Sequence, residues 1–149
     1  MGFSVSGSAA ILFIAAFVSV GILYSAAFNG FERVQDADDA SDERVLEAKN
    51  TAIEVANASW DNTTEDGILT VNVTNNGSTT LSVSGTDLLT DGTYVSDGAY
   101  IEAESSVDGN NETDLWLPGE TYSMTVYQEP EPSRVKVVTS SGVSATEVV

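Results

Sequence analysis

Residues Ile68 to Thr74 read ILTVNVT. Leu69, Val71 and Val73 alternate with Thr70, Asn72 and Thr74, so a period of two puts the apolar side chains on one face and the polar ones on the other. That is the pattern of an antiparallel strand with a core on one side and water on the other. The alternation returns along the chain. Thr80 to Ser84 turns Leu81 and Val83 inward, and Tyr122, Met124 and Val126 alternate with Thr121, Ser123 and Thr125. Arg134 to Thr139 sets Val135 and Val137 against Lys136 and Val138, and Ile53 with Val55 begins a first strand. Turn signals separate these runs: Asn76-Gly77, Asp91-Gly92, Asp97-Gly98, Asp108-Gly109, Pro118-Gly119, Pro130 with Pro132, and Ser141-Gly142. Short strands with frequent turns predict an immunoglobulin-like antiparallel β-sandwich over residues 51–149. Trp116, with Leu115 and Leu117, is expected to plug its core. No helix-length apolar repeat interrupts the strands, which excludes α/β folds.

N-terminal to the sandwich, residues 32–50 read ERVQDADDASDERVLEAKN, a run of good helix formers without Gly or Pro. Phe31, Val34, Ser41, Val45, Ala48, Ala52 and Val55 fall close to heptad spacing, but Asp38 sits on the same seam, so a solvated helical stalk is expected and not a coiled coil. Asp36, Asp38, Asp39, Asp42 and Glu43 form the densest carboxylate run. They lack the turn glycine and closing glutamate of a calcium-binding EF-hand loop.

Further back, residues 1–31 carry no charged side chain at all. The twenty residues Ala9 to Phe28, AAILFIAAFVSVGILYSAAF, span about 30 Å as a helix, the thickness of a bilayer's hydrocarbon core. Their apolar side chains lie all round the helix, as expected with lipid on every side. Ser19 and Ser25 can satisfy their hydroxyls on helix carbonyls. A single transmembrane helix is therefore predicted. A cleaved signal is the weaker reading: the n-region lacks basic residues, although Ser25-Ala26-Ala27 resembles a cleavage site. Met1-Gly2-Phe3-Ser4-Val5-Ser6 fits a myristoylation pattern, but a fatty chain adds little beside a spanning helix. No Lys/Arg-Gly pair of the pilin-leader kind precedes the apolar run. The pairs Ala15/Ser19 and Gly21/Ser25 have helix-pairing spacing, for which Ala/Ser/Gly richness of a membrane segment is the simpler account. The expected topology places the N-terminus in the cytoplasm and the sandwich outside.

The whole chain carries 23 acidic and 5 basic side chains, a net charge of −18, with no Cys and no His. Such a charge repels phosphate backbones, so nucleic acid is excluded as a partner. Disulfides, Cys- or His-ligated metal sites and His-assisted nucleophiles lack their side chains. No catalytic constellation emerges, no cofactor or metal is expected, and a non-enzyme is predicted. Asp108-Gly109-Asn110-Asn111-Glu112 is oxygen-rich, but a turn explains it better than a cation site. Asn-x-Ser/Thr occurs at Asn57, Asn62, Asn72, Asn76 and Asn111, a modest excess over chance among nine asparagines, and predicts one or more N-glycans.

The acid excess is similar to that of proteins from extreme halophiles, where a Debye length of about 3 Å at 1 M salt makes self-repulsion tolerable. With the membrane helix and the outer sandwich, it brings the chain close to a known family. Met1 to Ser8 ahead of the helix, NNGSTTLSVSGTDLLTDGTYV from Asn75 to Val95, TDLWLPGETYSMTV from Thr113 to Val126 and RVKVVTSSGV from Arg134 to Val143 resemble the haloarchaeal FlaF (ArlF) accessory proteins of the archaellum, the archaeal swimming filament. The related FlaG (ArlG) proteins share the layout. The resemblance implies a stator component that holds the motor against the surface layer, the glycoprotein lattice outside the membrane. It implies as partners the surface-layer glycoprotein and other archaellum components, including a FlaG-like protein. Self-association is open, because sandwich edges need covering. Two other classes stay open: a pilin- or archaellin-like filament subunit, and a membrane-tethered solute-binding module or small hydrolase.

Overall fold

The computed structural model describes residues 3–63, 67–101 and 104–149; Met1-Gly2 of the myristoylation-type pattern lie outside them. The chain forms two compact units, Met1–Glu43 and Arg44–Val149. The first is helical. Helix α1 runs unbroken from Phe3 to Asn50. With no proline and only Gly7, Gly21 and Gly30 to weaken it, nothing in the sequence stops it earlier. Ser19 and Ser25 donate their hydroxyls to the carbonyls of Ala15 (2.8 Å) and Gly21 (3.1 Å), as expected, and Tyr24 stacks on Phe28 one turn on. Its C-terminal end lies in the second unit. There Thr51 closes the last turn, with both its N–H and its hydroxyl on the Glu47 carbonyl, and Lys49 supplies the positive charge that a helix C-terminus favours.

Among the described residues the second unit has ten strands. Four make one antiparallel sheet in the order β1 (Ile53–Asp61), β2 (Ile68–Asn75), β8 (Thr121–Tyr127), β6 (Ser106–Val107). Four make another, β10 (Ser144–Val148), β9 (Arg134–Thr139), β4 (Thr86–Thr90), β5 (Thr93–Tyr94). A short pair, β3 (Leu81–Ser82) with β7 (Leu115–Trp116), completes the set. Leu69, Val71, Val73, Met124 and Val126 of the first sheet meet Leu88, Val135 and Val137 of the second in a core from which water is excluded. Edge strands β1 and β10 adjoin on one side, and β6 and β5 are the edges on the other. This is a helix followed by an antiparallel β-sandwich, as the period-two runs predict.

Three local departures have physical causes. The inward set of β1 shifts from Ile53 and Val55 to Ala58 and Trp60 because the register slips by one residue between Val55 and Asn57; a bulge re-aims every side chain beyond it. The run from Thr80 to Ser84 pairs only over Leu81 and Ser82. Asp114 takes the Ser84 N–H and the Ser82 hydroxyl, and Thr86 N–H turns back to the Val83 carbonyl, so the ladder cannot extend. Leu115 and Leu117 do not plug the core: they are exposed, and only Trp116 between them is buried. A strand sends neighbouring side chains to opposite faces, so only one of the two faces can enter the core.

Asp91-Gly92 and Asp108-Gly109 form tight turns in which both residues have positive φ, as the type I′ hairpin requires. Gly77 is glycine for another reason. A Cβ there would stand 2.5 Å from the Asn50 carbonyl oxygen and 2.6 Å from the Ala52 nitrogen, where the β2 turn meets the end of α1.

Candidate functional site

Helix α1 is long and apolar enough to cross a membrane, and none of the apolar window is buried within the protein. Its later turns carry Asp36, Asp38, Asp39, Asp42 and Glu43, all exposed. Among the described residues no group of three or more acidic side chains gathers as a metal site would require.

The oxygen-rich loop after β6 is a structural turn. Asp108 accepts the Thr121 N–H on its carboxylate, and Asn110 accepts the Glu112 N–H on its side-chain oxygen. The five sequon asparagines are scattered. Asn57 and Asn72 pair across β1 and β2 on the outer face, Asn57 exposed and Asn72 half-buried. Asn62 is exposed after β1, although Thr64 of its sequon lies outside the described residues. Asn76 is exposed and donates its amide to Glu54 (2.8 Å). Asn111 is exposed in the loop after β6.

A cleft of about 420 Å³ lies on the open side of the sandwich, between edge strands β5 and β6. Three tyrosines line it. Tyr94 on β5 is 54% exposed and donates its hydroxyl to Asp97 in the turn that follows (3.1 Å). That hydrogen bond, more than any other effect, raises its pKa. Tyr100 is half-buried beside β8, bridged to Val126, and burial raises its hydroxyl above the ordinary range. Tyr122 is buried and meets Trp116 edge-on at 5.8 Å; burial pushes its hydroxyl up to about 12. Asp87, Asp97, Asn110 and Asn111 add polar groups, and among the described residues no lysine or arginine lines the cleft. The sequence gives little warning of this grouping. Tyr94, Tyr100 and Tyr122 share no spacing; the pairing of β4 with β5, the bridge from Tyr100 to Val126 and the pairing of β6 with β8 assemble them.

The sequence also gave no role to Asn75. It is fully buried, donates its amide to the carbonyls of Thr79 and Trp116, and accepts the Gly77 N–H. It thereby ties β2, the following turn and the Trp116 segment together.

Compared with known proteins, no curated sequence matches the chain. Among solved structures it is similar to the archaellum periplasmic stator protein FlaG from Sulfolobus acidocaldarius, at 18% identity over 66% of this chain and 99% of that one, with a TM-score of 0.45. A family model for archaeal-type flagellin matches residues 2–148, nearly the whole sequence. The chain belongs to the archaeal-type flagellin family.

Proposed function

We propose that this archaellum-related chain is a FlaF-like stator component, anchored by its N-terminal helix and tying the motor to the surface layer through its β-sandwich. The observation that carries this is the charge pattern of α1. An uncharged apolar run leads without a break into a stretch with seven acidic side chains between Glu32 and Glu47, countered there by only Arg33 and Arg44. A filament whose subunits bundle their helices would bring many copies of that stretch together, and buried like charges repel strongly. A single anchor with a water-facing stalk meets no such cost. In this arrangement residues 1–31 span the membrane, residues 32–50 give reach, and residues 51–149 face the lattice, with the N-terminus in the cytoplasm. Torque transmission needs attachment and no chemistry, so the role is non-enzymatic. Other archaellum components, a FlaG-like protein among them, complete the stator. Exposed Asn57, Asn62 and Asn111 are the preferred N-glycan sites, since Asn76 is engaged with Glu54 and Asn72 is half-buried in a central strand.

In favour of a filament subunit stand the family description and the long exposed apolar helix. Shearing filaments from cells separates the two. A stator component stays with the envelope, and its deletion leaves filaments poorly assembled or unable to turn; recovery of the chain as a major mass of the sheared filaments overturns the proposal.

A further inference from the structure

We propose that the cleft between β5 and β6 is a binding site for a neutral, hydroxyl-rich saccharide. The site combines the three kinds of group that such a ligand engages. Tyr94 offers aromatic surface with a polar tip, and the half-buried Tyr100 adds aromatic surface. The Asp87 and Asp97 carboxylates accept hydrogen bonds from ligand hydroxyls, and the Asn110 amide nitrogen donates. Its volume of about 420 Å³ is that of a small-ligand pocket. Charge narrows the class further. Among the described residues two carboxylates and no cation line the cleft, and the chain carries a net charge of −18, which disfavours phosphates, sulfates and acidic sugars.

The position of the cleft also fits recognition. It opens at the side of the sandwich where the edge strands are only two residues long, away from the β1–β10 side where the sheets adjoin. Two of its polar side chains, Tyr94 and Asp97, are exposed and bond each other, whereas the Asn110 side-chain oxygen is held by the Glu112 N–H. Asn111, the acceptor of a sequon, stands in the lining, so a sugar can reach the cleft from this chain's own glycan or from a glycoprotein partner.

The sugar site itself does not depend on the stator role; only the second source of the sugar rests on it. The test uses the full chain in detergent at high salt, purified from its native host, as wild type and as Asn111→Gln. Saturation-transfer NMR is recorded with trisaccharides of glucose, mannose and galactose, and with a trisaccharide of glucuronic acid. The expected result is binding of at least one neutral trisaccharide with a Kd below about 1 mM, at least about tenfold tighter than the acidic one. Tyr94→Ala and Asp97→Asn, both at exposed positions, weaken it about tenfold or more, whereas Tyr127→Ala on the exposed end of β8 leaves it unchanged. No transfer to any neutral trisaccharide from either form, equal binding by the cleft variants, or preference for the acidic sugar overturns the proposal.

The two sources separate in the same preparation. Binding that appears only in Asn111→Gln identifies the chain's own glycan as the occupant. Capture of surface-layer glycoprotein that is lost both on deglycosylation of that partner and in Tyr94→Ala identifies the partner's. Failure to capture the glycoprotein while free trisaccharide binds removes the stator reading and leaves the cleft. Capture that ignores Tyr94→Ala, with no sugar bound, does the reverse.

Discussion

Asn75 shows what a single buried amide can hold in this fold. Its three hydrogen bonds satisfy groups on the turn after β2 and on the Trp116 segment, and among the described residues no buried side-chain nitrogen or oxygen lacks a partner. Asn75→Ala leaves two carbonyls and one N–H without it, and each buried orphan costs about 1–3 kcal/mol. Thermal melting of the full chain in detergent should therefore show a loss of stability of that order or more. Tyr122 carries a pH signature. Its hydroxyl titrates near 12 in the folded protein against 10.0 ordinarily, because burial disfavours the phenolate. The raised value means that the folded state keeps a proton the unfolded state loses. Its contribution is thus fully present below pH 10 and is lost as pH rises through the folded value. Tyr100 shifts in the same direction, so the melting temperature should fall steeply above pH 10, and Tyr122→Phe should make the fall shallower.

At the scale of elements, the junction of α1 with the sandwich depends on Gly77. Asn76 and Ser78 donate their N–H groups to the Ala52 and Asn50 carbonyls, which brings the turn against the helix end too closely for a Cβ. Gly77→Ala should destabilise the second unit by about 1–3 kcal/mol, as overpacking does, whereas Gly98→Ala, with open space around it, should be near neutral. Melting curves of the two variants check this. Strands β2 and β9 are legible in the sequence because one face of each is dry and the other wet, and β8 reads alike although Thr125 on its polar face is buried as well. Strands β4 and β10 are not legible. In β4 Leu88 and Leu89 are adjacent, and β10 is an edge with little buried on either face, so no clear period is written in either. The three-tyrosine cleft is illegible for a related reason: Tyr100 and β6 reach their places only by pairing with β8, some twenty residues further along the chain.

For the whole molecule, charge is the governing quantity. A net charge of −18 on a chain of 149 residues opposes compaction at low salt. Raising ionic strength from about 0.1 M to about 1 M shortens the Debye length from roughly 10 Å to roughly 3 Å. The melting temperature of the full chain should rise over that interval, and an unchanged one would show that self-repulsion plays no part in its stability. The same charge distribution, absent from residues 1–31 and concentrated beyond them, underlies the proposed anchor-and-stalk layout. Cross-linking in intact cells, followed by identification of the proteins joined to the sandwich, tests that proposal most directly. Linkage to the surface-layer glycoprotein is the predicted result; linkage only to filament subunits would contradict it.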